Sequence, residues 1–138
     1  MENEFQTGSA VADKSFEFAV RIVNLCKYLR YKKKEFVLSK QLLRSGTSIG
    51  ANVHEGRRAQ SRADFLAKMS IALKEANETY YWLKLLYRTE YLAKEEYLSM
   101  YADIDEILRI LTAICKTTAG EKNKLNPQPS ELSTNKRR

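Results

Sequence analysis

A chain of 138 residues is long enough for one self-sufficient domain, and 43% hydrophobic with 30% charged residues is an ordinary globular balance. No stretch approaches the ~18 uncharged apolar residues of a membrane span. The acidic start Met1-Glu2-Asn3-Glu4 has no apolar run behind it, as a secretory leader would. A cytoplasmic protein without a membrane partner is expected. The formal net charge is +7, with the cation excess on residues 13–60 and on the tail, which suits an acidic partner such as nucleic acid.

Both prolines, Pro127 and Pro129, lie in the tail, and no hairpin turn signal or period-two alternation precedes them. The pattern is helical. Asp13 is a good N-cap and predicts a first helix to about Tyr31, leaving residues 1–12 as a flexible N-terminus. It carries two neighbouring apolar stripes: Phe16, Ala19, Val23 and Cys26, then Phe18, Ile22, Leu25 and Leu29. Lys32-Lys33-Lys34 marks a turn, and Ser39 is the expected cap of a second helix to about Arg58. Leu42, Gly46, Ile49 and Val53 are its inward positions. Gly46 and Gly50, beside Ser45 and Ala51, form a patch of small residues. Each glycine costs ~1 kcal/mol in a helix interior, so close approach by a neighbouring helix is the expected compensation.

Ser61-Arg62-Ala63-Asp64 resembles a capping box and opens a third helix to about Thr89. Leu66, Met69, Leu73, Ala76, Tyr80, Leu83 and Tyr87 follow a heptad alternation on it, with Phe65, Ile71, Trp82 and Leu86 outside that stripe. The fourth helix runs from Lys94 to about Thr118 on a seam of Tyr97, Tyr101, Ile104, Leu108, Leu111 and Cys115, and Gly120 is expected to end it. Residues 120–138 read as a disordered basic tail. Short turns between long helices predict an all-α, antiparallel up-and-down four-helix bundle over residues 13–119. In that arrangement Cys26 and Cys115 lie near opposite ends, about 20 Å apart, and are expected as free thiols.

No catalytic constellation is visible. His54 is the single histidine, too few for zinc with two separated cysteines, and Ala51 stands where a di-iron bundle would need Glu. Gly46, Gly50 and Gly56 fall within a helical pattern and make no phosphate loop. Glu75 and Glu78 share a helix face without an acid, base or metal partner in the pattern. The expectation is a non-enzyme without metal or cofactor.

Two basic clusters stand out. Lys27, Arg30, Lys32, Lys33 and Lys34 gather where helix one meets helix two; Arg57, Arg58 and Arg62 gather at the opposite end. Cations in a last helical turn complement the helix dipole, but the number here suits phosphate binding through RNA or DNA. The surplus apolar side chains Phe18, Phe65, Tyr81, Trp82 and Leu86 exceed one core and predict a homo-oligomer interface. An alternative is a protein-interaction module that uses the apolar face of helix three, the cations being only solubilising.

The segment Gln41-Leu42-Leu43-Arg44, followed by Thr47-Ser48-Ile49-Gly50-Ala51-Asn52-Val53-His54-Glu55-Gly56, resembles the signature of the four-helix-bundle proteins encoded in 23S ribosomal RNA intervening sequences. The likeness spans roughly residues 13–118, and the N-x-x-E-G element of Asn52, Glu55 and Gly56 is its most specific part. It implies an up-and-down bundle assembling as a homopentamer. It also implies kinship with the accessory variability protein of diversity-generating retroelements, a basic pentamer that binds nucleic acid and a reverse transcriptase. Many members carry Gly-Ser in the third helix where this chain has Lys74-Glu75, which argues against an equally close helix contact there.

Overall fold

The computed structural model describes the backbone of residues 2–125 and the side chains of residues 10–120. Its four helices are α1 (Glu2–Tyr31), α2 (Leu38–Gly56), α3 (Arg62–Arg88) and α4 (Lys94–Leu125). Each packs on its successor, α4 closes back on α1, and the diagonal pairs stay apart. This is the expected antiparallel up-and-down four-helix bundle.

The core takes one stripe from each helix: Phe18, Ile22 and Leu29 from α1, then Leu42, Ile49 and Val53 from α2. Met69, Leu83 and Leu86 of α3 and Ile104, Ile107 and Leu111 of α4 complete it. The inward positions of α2 are the ones its spacing predicts. On α4 the predicted seam is split, with Ile104 and Leu111 in the core and Tyr97, Leu108 and Cys115 flanking it.

Helix ends differ from expectation in three places. Asp13 is no cap, because α1 runs from Glu2 and already buries Val11. Gly120 does not end α4, which continues to Leu125; the last 13 residues of the expected tail lie outside the described residues. Ser39 does not cap α2 either. The Glu35 carboxylate does so, accepting the N–H groups of Val37, Leu38 and Ser39 at 3.1, 2.9 and 2.7 Å. Ser39 instead donates its hydroxyl back to the Glu35 carbonyl oxygen at 2.8 Å. At α3 the expected cap is present, Ser61 Oγ accepting from the Asp64 N–H at 3.0 Å.

The four seams are held differently. Between α1 and α2 the backbones come close. A Cβ on Gly46 would sit 2.8 Å from two carbons of Ile22, and one on Gly50 3.2 Å from the Ser15 carbonyl oxygen. Between α2 and α3 the buried hydroxyls of Ser45 and Thr79 meet at 2.9 Å, and Arg44 reaches both Glu75 and Glu78. Between α3 and α4 the Tyr87 and Tyr97 rings stack at 4.6 Å, with Tyr80 and Tyr101 at 5.5 Å beside them. Burial, aided by a hydrogen bond with Tyr80, pushes the Tyr97 hydroxyl up to about 12. The α1–α4 seam is bridged by charge, Lys14 to Glu106 at 2.7 Å and Arg21 to Asp103 and Ser99.

Both thiols are free. Cys26 is buried beside the Ser39 carbonyl, and its burial pushes the thiol up to about 11; Cys115 lies against Ser70 on the α3–α4 seam.

The glycine contacts set a stability test. Gly46→Ala gains helix propensity but drives a methyl into the stiff, β-branched Ile22, so a net loss of roughly 1–2 kcal/mol is expected. Gly120→Ala meets nothing within 4 Å and should gain roughly 0.5 kcal/mol. Urea unfolding of the two variants beside the native chain measures both.

Candidate nucleic-acid interface and subunit face

The predicted cations fall into two groups at opposite ends of the bundle. Lys27, Arg30, Lys32, Lys33 and Lys34 are all exposed around the α1–α2 turn. At the other end, on the α2–α3 turn, Arg58 and Arg62 are exposed and Arg57 is half-buried. The two groups form separate patches. Five cations elsewhere meet carboxylates: Lys14, Arg21, Lys68 and Arg109 one each, and Arg44 two. Among the described residues, Lys27, Lys32, Lys33 and Lys34 make no ion pair.

The local fold explains that. Lys32 and Lys33 bring their N–H groups onto the Tyr28 carbonyl, and the Glu35 N–H reaches Leu29, so the turn folds back over the end of α1. Lys34 turns the corner at φ 56°. The only carboxylate in the turn, Glu35, points inward to cap α2. Burial works to raise the Glu35 carboxyl, but the N–H donors of Leu38, Ser39 and Val37 outweigh it and hold it below the usual range. The turn thus presents cations outward and keeps its acid inside.

The apolar surplus is in a different place from the one expected. Phe18 and Leu86 are core residues: Phe18, Ile22 and Leu29 of α1 face inward, while Phe16 and Val23 of its other stripe stay exposed. Trp82 packs partly on the core and donates its Nε1 to Glu78 at 3.0 Å; Phe65 is likewise partly buried against the core. The same Glu78 takes the Arg44 guanidinium, and the bonds from Trp82 and Arg44 hold its carboxyl below the usual range. Glu75 and Glu78, which have no partner in the sequence pattern, therefore serve an α2–α3 network. Only Tyr81, of the five residues predicted for an interface, is well exposed. With Ile71 the one other large apolar side chain exposed on α3, no broad apolar face remains on that helix.

That face lies instead on the outside of α1 and α2. Phe16 is 64% exposed, with Val20 and Val23 exposed at the following turns of α1, and Leu43 is exposed on α2. Phe16 and Ala19 border a groove completed by Gly50, Ala51 and His54. Sequence spacing shows both stripes of α1 but does not rank them; the small residues of α2 opposite Phe16 and Ala19 are the available signal.

The residues of the N-x-x-E-G element are used within the chain. Asn52 Nδ2 donates to the Ser48 carbonyl at 2.9 Å, and Glu55 pairs with Lys68 of α3 at 3.1 Å. Gly56 is buried where a Cβ would meet Met69 Cε at 2.6 Å. Glu75 ties α3 to Arg44.

Among the described residues no three His, Cys, Asp or Glu side chains gather to hold a metal ion, and no helix is long and apolar enough to cross a membrane. Residues 8–113 match the family described as 23S rRNA-intervening sequence protein. The chain belongs to that family. It is also similar to the crystal structure of a protein of unknown function from the S23 ribosomal protein family of Bacteroides thetaiotaomicron. The two are 62% identical, with a TM-score of 0.78, over 80% of this chain and 98% of that one. No curated protein matches the chain. In this 23S rRNA-intervening sequence protein Glu55 and Gly56, at the end of α2, both meet α3.

The Glu35 cap generates a pH prediction. A carboxylate held below its unfolded range contributes stability at neutral pH and loses it as pH falls through the folded value. Glu35→Ala should cost roughly 1–2 kcal/mol at neutral pH. The gap to the native chain should narrow below the usual carboxylate range, which urea unfolding at neutral and acidic pH measures.

Proposed function

We propose that this protein is a non-enzymatic, homo-oligomeric scaffold, a pentamer by family resemblance, that binds RNA through its basic ends. Carrying this reading is the contrast among its cations. Those on the helix seams are neutralised by carboxylates, whereas Lys27, Lys32, Lys33 and Lys34 crowd one end with their charge unspent among the described residues. Such a cluster raises the local concentration of a polyanion and releases its counterions on binding. The exposed apolar stripe of Phe16, Val20, Val23 and Leu43 supports self-association, since a contiguous patch of this kind on a small domain favours burial against a partner. A ring of copies would repeat the basic ends around its rim. The reading places the protein in the cytoplasm, where it would meet RNA; DNA and a protein such as a reverse transcriptase are the other partners that the resemblance suggests.

A mobility-shift titration across salt tests it. Binding of an RNA hairpin should weaken steeply with salt, and the Lys32→Glu, Lys33→Glu, Lys34→Glu triple variant should abolish it at moderate salt. Reversing these charges should also cut the slope of log affinity against log salt by roughly two to three. Unchanged binding by the triple variant would overturn the assignment of the cluster.

A further inference from the structure

The α1–α2 turn carries more than charge. Tyr31 is 71% exposed, Phe36 50% and Val37 71%, all within a few residues of Lys32, Lys33 and Lys34. The Arg30 guanidinium covers the Phe36 ring from one side, 5.3 Å from its centroid, and Lys33 Nζ lies 6.0 Å from that of Tyr28. The rings and cations stand on a built turn: the Glu35 cap, the hydrogen bonds onto Tyr28 and Leu29, and a lysine at φ 56°. That φ costs a non-glycine residue about 1 kcal/mol, yet position 34 holds lysine.

We propose that this turn is a stacking site for unpaired RNA bases, with Tyr31 and Phe36 as the platforms and Lys27, Lys32, Lys33 and Lys34 on the flanking phosphates. It rests on the RNA-binding reading and narrows it to single strands. In a duplex the base faces are covered by their neighbours, so exposed rings have nothing to stack on; in a loop or a free strand every base offers a π-face. A ring already backed by a guanidinium extends such a stack rather than blocking it, since half of the Phe36 surface stays open. Charge selects the flank. Glu95 and Glu96 line the α1–α4 groove with Arg21 and Tyr28, on the side of α1 away from α2, so a polyanion is steered to the α2 side. The same patch on a second copy would bring like charges together, which disfavours self-pairing here.

Fluorescence anisotropy of the full chain separates this from the broader reading. The probes are a labelled twelve-nucleotide oligo(A) strand and a labelled blunt-ended, fully paired RNA duplex; the variants are Tyr31→Ala/Phe36→Ala, Tyr31→Phe/Phe36→Tyr and the Lys32, Lys33, Lys34 to Glu triple. The alanine pair should weaken the single strand about ten-fold or more, leave the duplex and the salt slope unchanged, and keep the native mass in solution. The aromatic exchange should restore single-strand binding, and the triple should lose both probes. Full single-strand affinity in the alanine pair, with loss in the triple, would overturn the stacking site and leave RNA binding standing. Failure of the native chain to bind either probe would overturn both. A change of mass in the alanine pair would make these rings a subunit contact, and binding to phosphatidylserine vesicles in place of RNA would make them a lipid contact; either overturns the inference.

Discussion

The close approach of α1 to α2 is the constraint on which the rest depends. At Gly46 the space a methyl would need is filled by Ile22, and at Gly50 it is nearly filled by the Ser15 backbone. Two helices this near leave no room for side chains between their outer edges. The outward residues of both merge into one surface, on which Phe16 and Ala19 border Gly50, Ala51 and His54. Without that proximity they would be single exposed apolar side chains, which are ordinary on any protein. The same proximity shortens the connection at the top, so that a few residues carry the reversal and their cations crowd together.

The turn resolves a conflict between capping and charge. Helix α2 needs an acceptor for its first N–H groups, and Val37 has none to give. Glu35 supplies it from outside the helix, burying a carboxylate against backbone donors rather than against a cation. An ion pair with Lys32 or Lys34 would have neutralised the end of the bundle. Using the acid on the backbone leaves the lysines facing solvent, and it fixes the conformation that presents Tyr31 and Phe36.

How much of this the sequence discloses depends on how many partners each residue needs. The α2 stripe of Leu42, Gly46, Ile49 and Val53 is legible because one helix has one buried face and the spacing names it. On α1 two stripes lie side by side, and periodicity does not rank them; the choice depends on where α2 and α4 sit. Phe18 therefore reads as an interface residue in the sequence, whereas packing buries it and leaves Phe16 exposed. On α3 the predicted heptad shares Met69, Ala76 and Leu83 with the buried stripe, which continues through Ala72 and Leu86 where the heptad has Leu73 and Tyr87. Capping rules look for Ser, Thr, Asp or Asn at the boundary, and a glutamate three residues upstream of α2 escapes them. The family was legible in the sequence, while the contacts of Glu55 with Lys68 and of Gly56 with Met69 depend on where α3 packs.

The proposed scaffold requires copies of the chain to meet through the outer face of α1 and α2. Sedimentation equilibrium of the native protein and of a Phe16→Asp/Val23→Asp variant tests it directly, because both side chains are exposed and a charge there leaves the core intact. The native chain should sediment at about five times its 16.0 kDa, and the variant should fall to a folded species of 16.0 kDa. A native chain that sediments at 16.0 kDa, or a variant that holds the native mass, would contradict it.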